Sequence, residues 1–190
     1  MGAREEILAA VRVNAPRGDF PLPQPSAFPF DDGGSRIATF RNNLAAMGGH
    51  CRTGSIPETM SELFPDATQV VSTVPDYQGT RTITEQSDPR SLADVDIAIT
   101  RAAFGVAETG SVLLLDDSLV CNAVAYLAQH LIVLLDSEAI LLTLQEAYLR
   151  AEFHRHRYAS FHTGPSATAD IEGVLIYGAQ GVRSLTVVLR

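Results

Sequence analysis

SVLLLDDSLVCNAVAYLAQHLIVLLD, residues 111–136, contains two unbroken apolar runs, SVLLLD at 111–116 and HLIVLLD at 130–136. A strand that is apolar at every position is covered on both faces, the pattern of parallel strands sandwiched between helices. Between the runs Ser118 can cap a helix carrying Val120, Val124 and Leu127. A strand, a helix and a strand in that order predict an α/β unit with right-handed crossovers.

The flanking sequence repeats the alternation. VDIAIT (95–100) and QVVSTV (69–74) read as strands upstream. Downstream, Ser137 can cap a helix carrying Leu141, Leu144 and Tyr148, and YASFH (158–162) and LTVVLR (185–190) complete the strand set. Ser35 can cap a helix with Ile37, Phe40, Leu44 and Met47 at helical spacing, stopped by Gly48 and Gly49. Ser55, Ile56, Pro57 and Glu58 form a capping box with proline in the first turn, so a further helix should run to about Phe64 and end at Pro65. The whole order implies a three-layer α/β/α sandwich with a mostly parallel central sheet.

Residues 1–34 stand apart from that domain, which spans 35–190. A short helix over 3–12 puts Ile7, Leu8 and Val11 on one face, and Asn14–Gly34 then holds five of the ten prolines. Phe20, Phe28 and Phe30 are spaced along this extended arm, which can dock on a neighbour or wrap its own domain. The polar, aperiodic span 75–91 reads as a long loop and a candidate lid.

Composition removes several classes of function. The formal charge of −8 disfavours phosphate backbones and anionic lipid, so neither nucleic acid nor membrane is expected as a partner. All 14 basic residues are arginine, so there is no lysine for a Schiff base or a P-loop. Cys51 and Cys121 form no CxxC pair, and no zinc ribbon, iron–sulfur ligand set or other metal centre can be read. His154 and His156 alternate with Arg155 and Arg157, a spacing that suits a metal only on a strand with further ligands; a solvated charged face is the expectation. No GxGxxG fingerprint is present, and no cofactor is expected. A short apolar content at the N-terminus and no run of ~20 apolar residues point to the cytoplasm.

Two stretches are candidate sites. In HTGPSATADIEG (162–173), Ile171, Val174, Leu175 and a Gly178 stop predict a helix over Ser166–Tyr177. Its start, from Gly164 and Pro165 to Thr168, would then lie at the carboxyl end of a central strand, where amides and the Ser166 and Thr168 hydroxyls could hold a small anion. Asp170 and Glu172 would complement the helix dipole. In FGVAETGSVLLLD (104–116), Glu108 is a candidate base or nucleophile at a turn entering the core, with Thr109, Gly110 and Ser111 beside it. Both stretches carry a bland alternative, a helix cap and an ordinary turn.

With GVAETGSVLLLD and TGPSATADIEGVLIYG in this order, the chain resembles the lactate utilisation protein C (LutC/YkgG) family of LUD-domain proteins. The resemblance implies a fold similar to the sugar-phosphate isomerase and CoA-transferase (NagB/RpiA-like) domains. It also implies a place in a three-component lactate oxidation system whose other subunits carry iron–sulfur clusters. The family pattern has an arginine after GPS and a Gly-x-His-Gly-Pro turn, where this chain has Ala167 and Gly178, Ala179, Gln180, Gly181, Val182. The resulting expectation is a non-redox component of lactate or related organic-acid utilisation. The alternatives are an isomerase- or CoA-transferase-like enzyme acting on a small carboxylate or phosphate through Glu108, and a structural assembly subunit.

Overall fold

The computed structural model describes residues 2–21, 23, 29–171 and 173–190, with Asp170 and Ile171 described by their backbone alone. In chain order the helices are α1 (Ala3–Asn14), α2 (Arg36–Ala46), α3 (Ile56–Leu63), α4 (Asp116–Leu119), α5 (Val124–Leu127), α6 (Leu144–Tyr148) and α7 (Ala151–Arg155). The strands are β1 (His50–Thr53), β2 (Val70–Ser72), β3 (Ile97–Arg101), β4 (Phe104–Val106), β5 (Ser111–Leu115), β6 (His130–Leu135), β7 (Ile140–Leu141), β8 (Ala159–His162), β9 (Ala167–Ile171), β10 (Val174–Tyr177) and β11 (Ser184–Leu189).

The central sheet has the order β1-β11-β6-β3-β2 and every neighbouring pair in it is parallel. Helices flank both faces, as the α/β/α reading requires. On one face α3, with Phe64 just after it, brings Ile56, Met60 and Phe64 onto Val70, Ile97, Ile99, Ile132, Leu134 and Val188. On the other, Phe40 and Leu44 of α2, Leu119 of α4 and Val124 of α5 pack with Ala98, Leu131, Val133 and Val187. Ser35 and Ser55 cap α2 and α3 as their spacing predicts, the latter with the reciprocal Glu58 bond.

Several elements depart from the sequence expectation. SVLLL does form a strand buried on both faces, but β5 belongs to a second sheet, β7-β4-β5-β8, antiparallel to β4 and β8. Val112 and Leu114 face the main core, and Leu113 and Leu115 face a third cluster beneath Ala147 and Phe153. A continuous apolar run reports two covered faces and nothing about strand direction. The helix expected from Ser118 is two single turns, α4 and α5, because Val120 takes φ +62 at the end of α4. After Ser137 comes a 3₁₀ turn, then β7, then α6 with Thr143 as its cap.

The largest correction falls on Ser166–Tyr177, which is a β-hairpin, β9 antiparallel to β10. Gly173, with φ +72, turns the chain between the strands, and the apolar residues of β10 are all exposed instead of lining one helical face. Span 75–91 is pinned: Arg81 bridges to Val71 and its guanidinium binds Asp94, Gln69 Oε1 and the Ser91 carbonyl. α1 buries no residue, and Ile7, Val11 and Val13 are exposed. Phe20 on the arm is exposed, while Phe28 lies outside the described residues.

α2 comes closest to other backbone at two glycines. A Cβ on Gly110 would lie 2.2 Å from the Leu44 nitrogen, and one on Gly164 would lie 2.1 Å from the Met47 carbonyl oxygen; both residues also have positive φ, +67 and +73. Gly110→Ala and Gly164→Ala should therefore each lose roughly 3 kcal/mol, from overpacking plus a left-handed backbone that alanine disfavours. Chemical denaturation measures this, and a loss below ~0.5 kcal/mol, the usual range for a surface change, would contradict the packing.

Candidate functional site

The AETG turn joins β4 to β5 and is held by α2. Asn43 Nδ2 donates to the Ala107 carbonyl at 2.8 Å and to the Glu108 carbonyl at 3.0 Å, while Leu44 lies over Gly110. The TGPS turn leaves β8 and is held by the same helix end, with Gly164 against Met47 and Gly49. Ser166 then donates its N–H to the Val182 carbonyl at 2.9 Å and accepts from Gly178 N–H, closing the neck of the hairpin.

These contacts place the two turns side by side. Glu108, Thr109 and Ser111 line one cavity of about 400 Å³ with Asn43, Ala46, Met47 and Thr163. Gly164, Pro165 and Ser166 line an adjoining cavity of about 310 Å³, with Tyr126, Ser160, His162, Gln180, Gly181 and again Thr163. Thr163 is the shared wall. Its hydroxyl bonds to Ser111 Oγ, which in turn donates to Thr109 Oγ1 at 2.7 Å, so a row of three hydroxyls runs along the first cavity and ends at the wall shared with the second. No arginine is among the residues lining either cavity.

The end of the sheet differs from expectation. Gly49 directly precedes β1 and Val182 lies just before β11, so both turns sit at the amino ends of the central strands. The cause is the second sheet: TGPS follows β8, which runs antiparallel to β5 and never enters the central sheet. Thr168 is half-buried in β9, Asp170 is placed there by its backbone, and Glu172 lies outside the described residues. Glu108 is exposed, and its carboxylate accepts the Leu144 N–H at 2.7 Å at the start of α6. That contact is a helix-capping arrangement, the bland reading of this turn.

His162 was passed over in the sequence although it opens the TGPS motif. On β8 it alternates with Phe161, which joins the third core cluster, so His162 and Ser160 face the other way, toward Tyr126. The imidazole lies 5.3 Å from the Tyr126 ring, and its Nε2 is buried without a hydrogen-bond partner. Tyr126 OH bonds to Tyr158 OH and to Ser160 Oγ. Burial pushes the His162 imidazole from 6.5 down to about 4, so it is neutral at physiological pH. Only the period-2 alternation of β8 could have signalled this, and it needs the strand's neighbours to decide which face is the core.

Over residues 65–189 the chain matches the family model described as LUD domain. A crystal structure of a DUF162-family protein from Deinococcus radiodurans is similar in fold, with a TM-score of 0.61 and 16% identity over 85% of this chain and 99% of that one. No curated protein matches the chain significantly. Among the described residues no helix is long and apolar enough to cross a membrane.

His162 makes stability depend on pH with a definite sign. Its folded pKa lies below the unfolded value, so between 6.5 and about 4 the unfolded chain binds the extra proton and stability falls as pH falls through that window. The full shift is worth on the order of 3 kcal/mol. His130, also lowered by burial, adds in the same direction. His162→Gln should flatten the decline of the urea midpoint on acidification; an unchanged slope would contradict a buried neutral imidazole.

Proposed function

The chain belongs to the LUD-domain family, and from that premise we propose that it is a non-redox component of a lactate, or related organic-acid, utilisation system. In this reading the paired cavities hold a small anionic ligand. The observation that carries it is the row of hydroxyls, Thr109, Ser111 and Thr163, running from one motif turn to the other along the first cavity to the wall it shares with the second. These groups, with Ser166, would hold a carboxylate by hydrogen bonds without an arginine. Gln180, at the position of the family's histidine, lines the second cavity, and Ala167 stands where the family has its arginine.

The chain lacks lysine, CxxC and a dinucleotide fingerprint, so a 2-hydroxy acid would have to pass its electrons to other subunits. Iron–sulfur proteins are the proposed partners. The exposed apolar residues of α1 and Phe20 on the arm support a docking role for residues 1–34. A second reading, an isomerase- or CoA-transferase-like enzyme, draws support from the exposed position of Glu108 on the first cavity.

Four measurements test these readings. Calorimetry with L- and D-lactate should show saturable binding that Thr163→Val weakens about tenfold, the cost of one or two hydrogen bonds; binding indifferent to Thr163 would remove the site from these cavities. The purified chain alone should reduce no dye or nicotinamide acceptor with lactate, and measured turnover would overturn the non-redox assignment. If any reaction is found, Glu108→Gln should cost it ~100-fold or more where the carboxylate is a base. Glu108→Ala would instead cost only about 1 kcal/mol of stability where it is a cap.

A further inference from the structure

At the other end of the molecule a second group of functional side chains comes together. Thr100 Oγ1, near the end of β3, donates to the Ser118 carbonyl at 3.0 Å, which sets α4 at the carboxyl end of the central sheet. Open α/β sheets bind ligands at this end. Here Asp116 and Asp117 begin α4, and His156, just after α7, folds back onto them across forty residues of chain. A cavity of about 550 Å³ opens beside them, lined also by Glu85, Asn122, Arg155 and Arg157.

The hydrogen bonds give the aspartates different tasks. Asp116 Oδ1 accepts from His156 Nδ1 at 2.7 Å and from Asp117 N–H at 3.1 Å, and Oδ2 accepts from Arg157 N–H at 3.2 Å. Asp116 is thus occupied as an orienting group. With the proton on Nδ1, a neutral imidazole presents the lone pair of Nε2. That atom lies 3.9 Å from Asp117 Oδ2, too far for a hydrogen bond. Two ligands that each sit about 2.1 Å from one ion can be no more than about 4.2 Å apart, so this separation leaves room for an ion between the two atoms. A carboxylate holding the far nitrogen of a ligating histidine is the usual support for such a ligand.

We propose that His156 Nε2 and Asp117 Oδ2 ligate a divalent transition-metal ion, with Asp116 orienting the imidazole. Asp116, Asp117 and His156 bring one ligand atom each within 4.8 Å of one another, a mixed nitrogen and oxygen set of the kind that manganese, cobalt or zinc accepts, and Glu85 and Asn122 line the wider cavity beside them. Arg155 and Arg157 on the rim would accommodate an anionic group at the ion's open positions. This site is separate from the paired cavities and does not depend on their function.

Mn²⁺ is the probe, because it avoids the thiols of Cys51 and Cys121. Titrated into the full chain near neutral pH, it should bind with 1:1 stoichiometry and micromolar affinity, and its paramagnetism should broaden the His156 imidazole proton signals before those of His154. His156→Gln and Asp117→Asn should each abolish that binding. Asp116→Asn should weaken it by about 10- to 100-fold, as loss of an orienting partner does. His154→Gln should leave it unchanged, with circular dichroism confirming that each variant is folded. Absence of Mn²⁺ binding at millimolar metal, or binding that survives His156→Gln in a folded protein, would overturn the proposal.

Discussion

The C-terminal half of α2 lies so close to two turns that only hydrogen fits between them. Gly110 backs onto Leu44 and Gly164 onto Met47, while Asn43 reaches across to the carbonyls of Ala107 and Glu108. The helix cannot approach either turn without the other, because the two contacts are about one turn apart on the same helix end. Phe40 and Leu44, both fully buried, fix the helix to the central sheet, so the sheet, the helix and both turns form one rigid unit. The paired cavities follow from that unit: Thr163 can wall both because the turn before Gly164 is held against the turn after Glu108.

The two ends of the sheet carry different chemistry. At the amino end the cavities are lined by hydroxyls, a buried neutral histidine and Tyr126, without an arginine among the lining residues. At the carboxyl end two aspartates, a histidine and two arginines surround an open cavity. The first suits a ligand chosen by hydrogen-bond geometry, whose binding depends little on salt; the second suits charged ligands and is sensitive to ionic strength. An excess of acidic residues over the whole chain makes the clustering of Arg155 and Arg157 beside Asp116 a local property and not a consequence of composition.

Elements whose signal is local were legible in the sequence. The caps of α2 and α3, the apolar run of β6 and the family motifs all depend on neighbours within a few residues, and the resemblance read from two such motifs agrees with the LUD-domain match over residues 65–189. Strand direction is not local. Leu113 and Leu131 look alike in their runs, yet one lies in an antiparallel sheet and the other in a parallel one. The hairpin at 167–177 was misread because Ile171, Val174 and Leu175 have helical spacing, although Gly173 interrupts it and two of the three are β-branched. That error also displaced the candidate site to the wrong end of the sheet. The surroundings of His162, and those of His156, which its spacing with His154 suggests is part of a solvated charged face, are hidden for a related reason: their partners, Tyr126 and Asp116, are far away in the chain and meet them only after folding.

Native-state hydrogen exchange tests the unity of α2 and its two turns most directly. The amides of Gly49, Gly110 and Ser166 donate to Leu44, Val106 and Val182 respectively, one from the helix end and one from each turn. If the helix end holds both turns, the three should open with a common free energy and shift together in a Leu44→Ala protein, as members of one cooperative unit do. Independent exchange of the Ser166 amide, unmoved by loss of Leu44, would show that the TGPS turn is held by something other than α2 and would contradict the account.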